Sequence, residues 1–85
     1  MANVTAQPTP NPAAYKFTIA GHAFDGPKTV GSAADASGTP FEAIFALPGV
    51  VSIFATADFV TITKDSGADW GGIIDPATAA LSSAF

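Results

Sequence analysis

The chain has 85 residues, a formal net charge of −4 and no cysteine. That length suits one small domain with little room for an enclosed active site, and the lack of thiols excludes disulfides, thiolate nucleophiles and cysteine-ligated zinc or iron–sulfur sites within these residues. Seven acids face only Lys16, Lys28 and Lys64, with no arginine, so the basic footprint of a nucleic-acid binder is missing.

Hydrophobic residues make up 48% and charged residues 12%. A surface with so few charges has to be built from Ser, Thr, Gly and Ala, which favours contacts with other proteins. The opening, MANVTAQPTPNP, places Pro8, Pro10 and Pro12 at alternate positions, and each proline biases its predecessor toward extended backbone. Residues 1–12 are therefore expected to form an extended Pro-rich arm, leading into a single domain over 13–85. The arm lacks the basic and apolar regions of a secretion signal. The longest apolar run, residues 44–55, is broken by Pro48-Gly49 and falls short of the ~20 residues a membrane span needs. The expected location is cytoplasmic, with no membrane partner.

In AYKFTIA, Tyr15, Phe17 and Ile19 alternate with Lys16 and Thr18, the period of a half-buried strand. GHAFDGPKTVG bends at Asp25-Gly26-Pro27, and a short strand over residues 28–30 is expected to pair back onto the first. GSAADASG reads as a loop with room for one helical turn. TPFEAIFALPG predicts a helix of about eight residues, too short to stand without a sheet beneath it. Thr39 and Glu42 have capping-box spacing, Pro40 takes the first helical position, and Pro48-Gly49 stops the helix. Phe41, Ile44, Phe45 and Leu47 form its apolar stripe.

VVSIFATADFVTITK predicts a hairpin. A two-residue turn at Ala57-Asp58 sets Ala55 opposite Val60 and Ile53 opposite Ile62. Val51, Ile53, Ala55, Val60 and Ile62 then share one apolar face. The other face reads Ser52, Phe54, Thr56, Phe59, Thr61, Thr63. The last segment places Trp70, Ile73, Ile74, Ala77, Leu81 and Phe85 at helical spacing, with Ser66 or Asp69 as cap. Gly71-Gly72 and Pro76 predict a loose turn over 70–74 before a firmer helix, Pro76 forbidding one internal hydrogen bond.

The predicted architecture is α+β: a two-layer fold with a four-stranded, largely antiparallel sheet and two helices on one face. Only one sheet face is uniformly apolar, so the other is left to solvent. The expected partner-binding residues lie there: Phe54, Phe59, Thr61 and Thr63, two rings within a field of threonines. Burial of both rings by the arm or by the Asp25-Gly26-Pro27 loop would remove that site. His22 is the one histidine of the chain. With Asp25 and Asp58 it defines an alternative, a small-ligand or iron-binding protein; a purely structural domain is a further alternative. DSGAD, residues 65–69, reads as a turn with a helix cap rather than a calcium loop. No nucleophile–base pair and no phosphate loop can be assembled, so the chain is not expected to be an enzyme.

Four motifs, TPNPAAYKF, TPFEAIFALPGV, FATADFVTITK and ADWGGIIDPATAALSSAF, stand in an order and spacing that resembles the N-terminal domain of Nfu/NifU-like iron–sulfur cluster scaffold proteins. The resemblance runs from Thr9 to Phe85. It implies a non-catalytic accessory domain acting in iron–sulfur cluster assembly or delivery, with protein partners in that process and a monomeric state. In such proteins the cluster ligands lie in a second domain bearing a Cys-x-x-Cys pair. No cofactor or metal is expected to bind the present residues, since they contain no cysteine.

Overall fold

The period-2 alternations produce strands where expected: β2 (Ala14–Ile19), β4 (Val50–Thr56) and β5 (Phe59–Lys64). The computed structural model describes residues 3–11, 13–65 and 67–85, so Pro12 of the predicted arm and Ser66, one of two predicted caps, lie outside the described residues. The fold is α+β, and its sheet has five strands rather than four: with β1 (Val4–Pro8) and β3 (Lys28–Val30) the order is β1-β2-β5-β4-β3, every neighbouring pair antiparallel.

The additional strand is β1 (Val4–Pro8), within the segment read as an arm; it pairs with β2 from Val4 opposite Ile19 to Pro8 opposite Tyr15. Proline has no amide hydrogen to give a ladder, so it is tolerated at the end of an edge strand, and Pro8 occupies that position. The Thr9–Asn11 turn then reverses the chain. The Thr9 hydroxyl lies 2.9 Å from the Asn11 carbonyl and 3.0 Å from the Ala14 carbonyl. Asn11 Oδ1 accepts from the Ala13 amide at 3.0 Å. Thr9 and Asn11 thus knit, through their side chains, the turn that follows β1.

A second correction concerns β3 (Lys28–Val30). It pairs with β4, Val30 opposite Ile53 and Lys28 opposite Ala55, not with the first predicted strand. Both sides of β2 are taken, by β1 and β5, which leaves the outer edge of β4 for β3.

The β4–β5 hairpin has the expected register, Ile53 opposite Ile62 and Ala55 opposite Val60, with a two-residue turn at Ala57-Asp58. Ala57 sits at φ 52°. The turn is clamped from outside: the Ile19 amide donates to the Asp58 carbonyl at 2.7 Å and the Phe24 amide to the Ala57 carbonyl at 2.7 Å. Toward its start β4 departs from simple alternation. Val50 lies opposite Lys64 and Ser52 opposite Thr63, so Val51 is the extra residue of a bulge. Val50 takes the buried place and Val51 is 45% exposed, the reverse of the predicted face.

Between β3 and β4 lie α1 (Ala33–Ala36) and α2 (Glu42–Phe45); after β5 come a 3-10 turn (Trp70–Gly72) and α3 (Ile74–Ala84). The α2 segment has four residues, half the predicted length. The Thr39 hydroxyl accepts from the Phe41 amide at 3.2 Å and donates to the Ala36 carbonyl at 2.6 Å. Among the described residues Glu42 makes no reciprocal side-chain bond, so the capping box is half made. Asp69 caps the 3-10 turn, its Oδ1 accepting from the Gly71 amide at 3.1 Å. Pro76 falls in the first turn of α3, where its absent amide hydrogen would have had no helical acceptor, so it breaks no bond.

One buried cluster joins alternate strand residues (Phe17, Ile19, Val30, Ile53, Ala55, Val60, Ile62) to the helical segments through Ala36, Ile44, Ile73, Ala77 and Leu81. No polar or charged residue is buried among the described residues.

Candidate functional site: the threonine-rich sheet face

Strand register assembles the second sheet face into rows. The central row runs Gln7, Lys16, Thr61, Phe54, Thr29 across all five strands. Beside it on one side stands Thr5, Thr18, Phe59, Thr56, and on the other Ala14, Thr63, Ser52. The four residues expected to bind a partner therefore share one face in three adjacent rows. Phe54 is 39% exposed, whereas Phe59 is half-buried.

Phe59 is screened by a neighbour on its own sheet. The Lys16 ammonium lies 4.6 Å from the Phe59 ring centroid, a cation–π contact across adjacent strands. Neither predicted cover reaches this face in the way anticipated: residues 4–8 extend the sheet as β1 at its edge, and Phe24, from the loop before β3, turns toward Phe41 and Phe85. Lys16 is the residue of this face that the site reading left out, and it carried a signal, since alternation alone puts it here. Val51, read as a core residue, is exposed at a bulge that depends on pairing with β5.

His22, Asp25 and Asp58 lie around the 19–25 connection and the hairpin tip that it clamps. His22 packs its ring against Phe24 at 4.6 Å and Phe85 at 4.5 Å. With Asp25, Lys28 and Phe41 these residues line a cleft of about 210 Å³. Asp58 is at the hairpin tip and does not line that cleft. In DSGAD, Asp65 Oδ1 accepts from the Gly67 amide at 3.3 Å, and Asp69 is occupied by its cap; both border a cleft with Pro48 and Gly49. Trp70, expected as a core anchor, is half-buried: it contacts Tyr15 at 5.0 Å, and the Lys64 ammonium lies 5.8 Å from its ring. Among the described residues no group of three or more His, Asp or Glu side chains is placed to hold a metal ion. Together with the absence of cysteine, this means that the present residues do not fit an iron–sulfur cluster. No described helix is long and apolar enough to cross a membrane.

The sequence is similar to two insect proteins, each named "NFU1 iron-sulfur cluster scaffold homolog, mitochondrial". The one from Drosophila ananassae is 36% identical over 79% of this chain and 24% of its own length. The one from Drosophila willistoni is 36% identical over 80% of this chain and 25% of its own length. The chain therefore spans about a quarter of the length of these relatives. Two solved structures share its fold. The NifU-like protein from Saccharomyces cerevisiae superposes with a TM-score of 0.83 at 24% identity, covering 96% of this chain and 76% of that one. A crystal structure of a Staphylococcus aureus protein gives 0.80 at 24% identity, covering 93% and 98%. Residues 4–85 match the family described as "Scaffold protein Nfu/NifU N terminal", and the chain belongs to that family.

Proposed function

We propose that this chain is a non-catalytic interaction domain in iron–sulfur cluster assembly or delivery, docking partner proteins through its threonine-rich sheet face. The carrying observation is Phe54, a large ring 39% exposed at the centre of that face. A sheet with two dry faces would bury such a ring. The buried cluster, which joins α1, α2 and α3 to the opposite set of strand residues, supports helices on one side only and a free second side. The binding residues are Phe54, Phe59, Thr61 and Thr63. The cluster itself is cargo, ligated by groups other than these residues, which hold no cysteine and bind no cofactor or metal. The domain acts as a monomer in the cytoplasm; its relatives are named mitochondrial, and cell fractionation decides between the two compartments.

The test is capture from a native extract with identification by mass spectrometry. The intact chain retains proteins of iron–sulfur assembly, and a Phe54→Ser variant with an unchanged circular dichroism spectrum loses them. Identical captured sets from both would remove the reading. The alternative, iron held by His22, Asp25 and Asp58, lacks support because these three are not grouped to hold a metal ion among the described residues. Localised NMR shifts at those three residues on adding ferrous iron would restore it.

A further inference from the structure

We infer that the occupant of the threonine-rich face is an acidic amphipathic helix of the partner protein, an assignment that rests on the proposed docking role of that face. Charge comes first. All seven acids lie in loops, turns or helical segments, and none occupies a strand position. Lys16 is the one formal charge in the three rows of this face, so the face is a positive island on a chain of net charge −4. A basic partner would meet repulsion from Lys16 here and would be steered to the acidic loops instead.

Backbone chemistry selects a helix. In the interior of a sheet the backbone amides and carbonyls are used by neighbouring strands, so the face offers side chains alone. An extended segment laid across it would lose water from its own amides and carbonyls without gaining partners. A helix arrives with its backbone bonds already made.

Spacing adds a sequence rule. Lys16 and Phe54 both pair with Thr61, from opposite sides, so they stand two strand spacings apart, about 10 Å. A helix returns to the same side after seven residues, roughly 10.5 Å along its axis. The partner helix therefore places an apolar side chain over Phe54 and a carboxylate seven positions away over Lys16, displacing part of the Lys16–Phe59 contact.

The experiment uses the intact chain and two synthetic helical peptides of about 20 residues. One has leucine at i and glutamate at i+7, the other lysine in place of glutamate. In ¹⁵N NMR titrations the acidic peptide shifts the amides of Gln7, Lys16, Phe54 and Thr61, and the basic one leaves them in place. Lys16→Glu weakens the acidic peptide about fivefold or more, added salt weakens it further, and Lys16→Arg keeps it. Lys16→Gln repeats the measurement should charge reversal unfold the sheet. Equal binding of the two peptides, no binding by either, indifference to Lys16→Glu, or shifts confined to the His22–Phe85 cleft would each overturn the inference. Loss of natural partners on Phe54→Ser together with equal peptide binding would leave the docking face standing and remove only the acidic helix.

Discussion

The Lys16 ammonium lies 4.6 Å from the centroid of the Phe59 ring, one strand over and one row along. This contact shields the half-buried ring while Phe54, in the row through Lys16, stays open. Replacing Lys16 by alanine should cost about 0.5–1 kcal/mol, and a cycle with Phe59→Leu should recover most of that as coupling. Urea denaturation of the four proteins measures it. Coupling near zero would mean the two side chains are neighbours without interacting.

Gly49 should not accept a side chain. Its φ is +92°, and a Cβ there would run into the Cβ of Ala68. Left-handed backbone costs roughly 1–2 kcal/mol for a residue with a Cβ, and forced overpacking adds about 1–3 kcal/mol. Gly49→Ala is expected to lose roughly 2–5 kcal/mol by thermal or chemical denaturation. Ala68→Gly in the same chain should return the steric part and leave the backbone part. Gly31, with open space around its Cβ position, serves as control: Gly31→Ala should change stability by no more than about 1 kcal/mol.

Ala57, at the tip of the hairpin, points the opposite way. It holds φ 52°, a conformation that glycine enters at no steric cost. Ala57→Gly removes that strain but gives the unfolded chain more freedom, so a net gain of about 0.5 kcal/mol is expected. A higher melting temperature with the Thr56–Phe59 pairing preserved by NMR checks it.

Thr39 and Glu42 separate a cap that forms from one that only its spacing suggests. The Thr39 hydroxyl bonds both the Phe41 amide and the Ala36 carbonyl, joining α1 to α2. Thr39→Ala should therefore cost about 1 kcal/mol, and Glu42→Ala within about 0.5 kcal/mol of nothing. Equal losses at both positions would show that the full capping box forms in solution.

Features that depend on neighbours along the chain were legible in the order of residues. Tyr15, Phe17 and Ile19 alternate, so β2 could bury only one set; the even-numbered turn at Ala57-Asp58 then left Ile53 no apolar opposite but Ile62. The threonine-rich composition of the second face follows from the same arithmetic, as does the placing of Phe54, Phe59, Thr61 and Thr63 together. Tertiary structure decided what depends on distant pairing. Val4 and Ala6 alternate too briefly, among prolines, to announce a strand, and β1 exists because the free edge of β2 has unpaired backbone groups to offer. β3 joined β4 because β2 was already flanked on both sides. Val51 faces solvent because the β4–β5 ladder inserts a bulge between Val50 and Ser52, and no local pattern encodes a slip of one residue against a remote strand. Side-chain period is a local property of the backbone, whereas the partner of an edge is a choice made by the whole sheet.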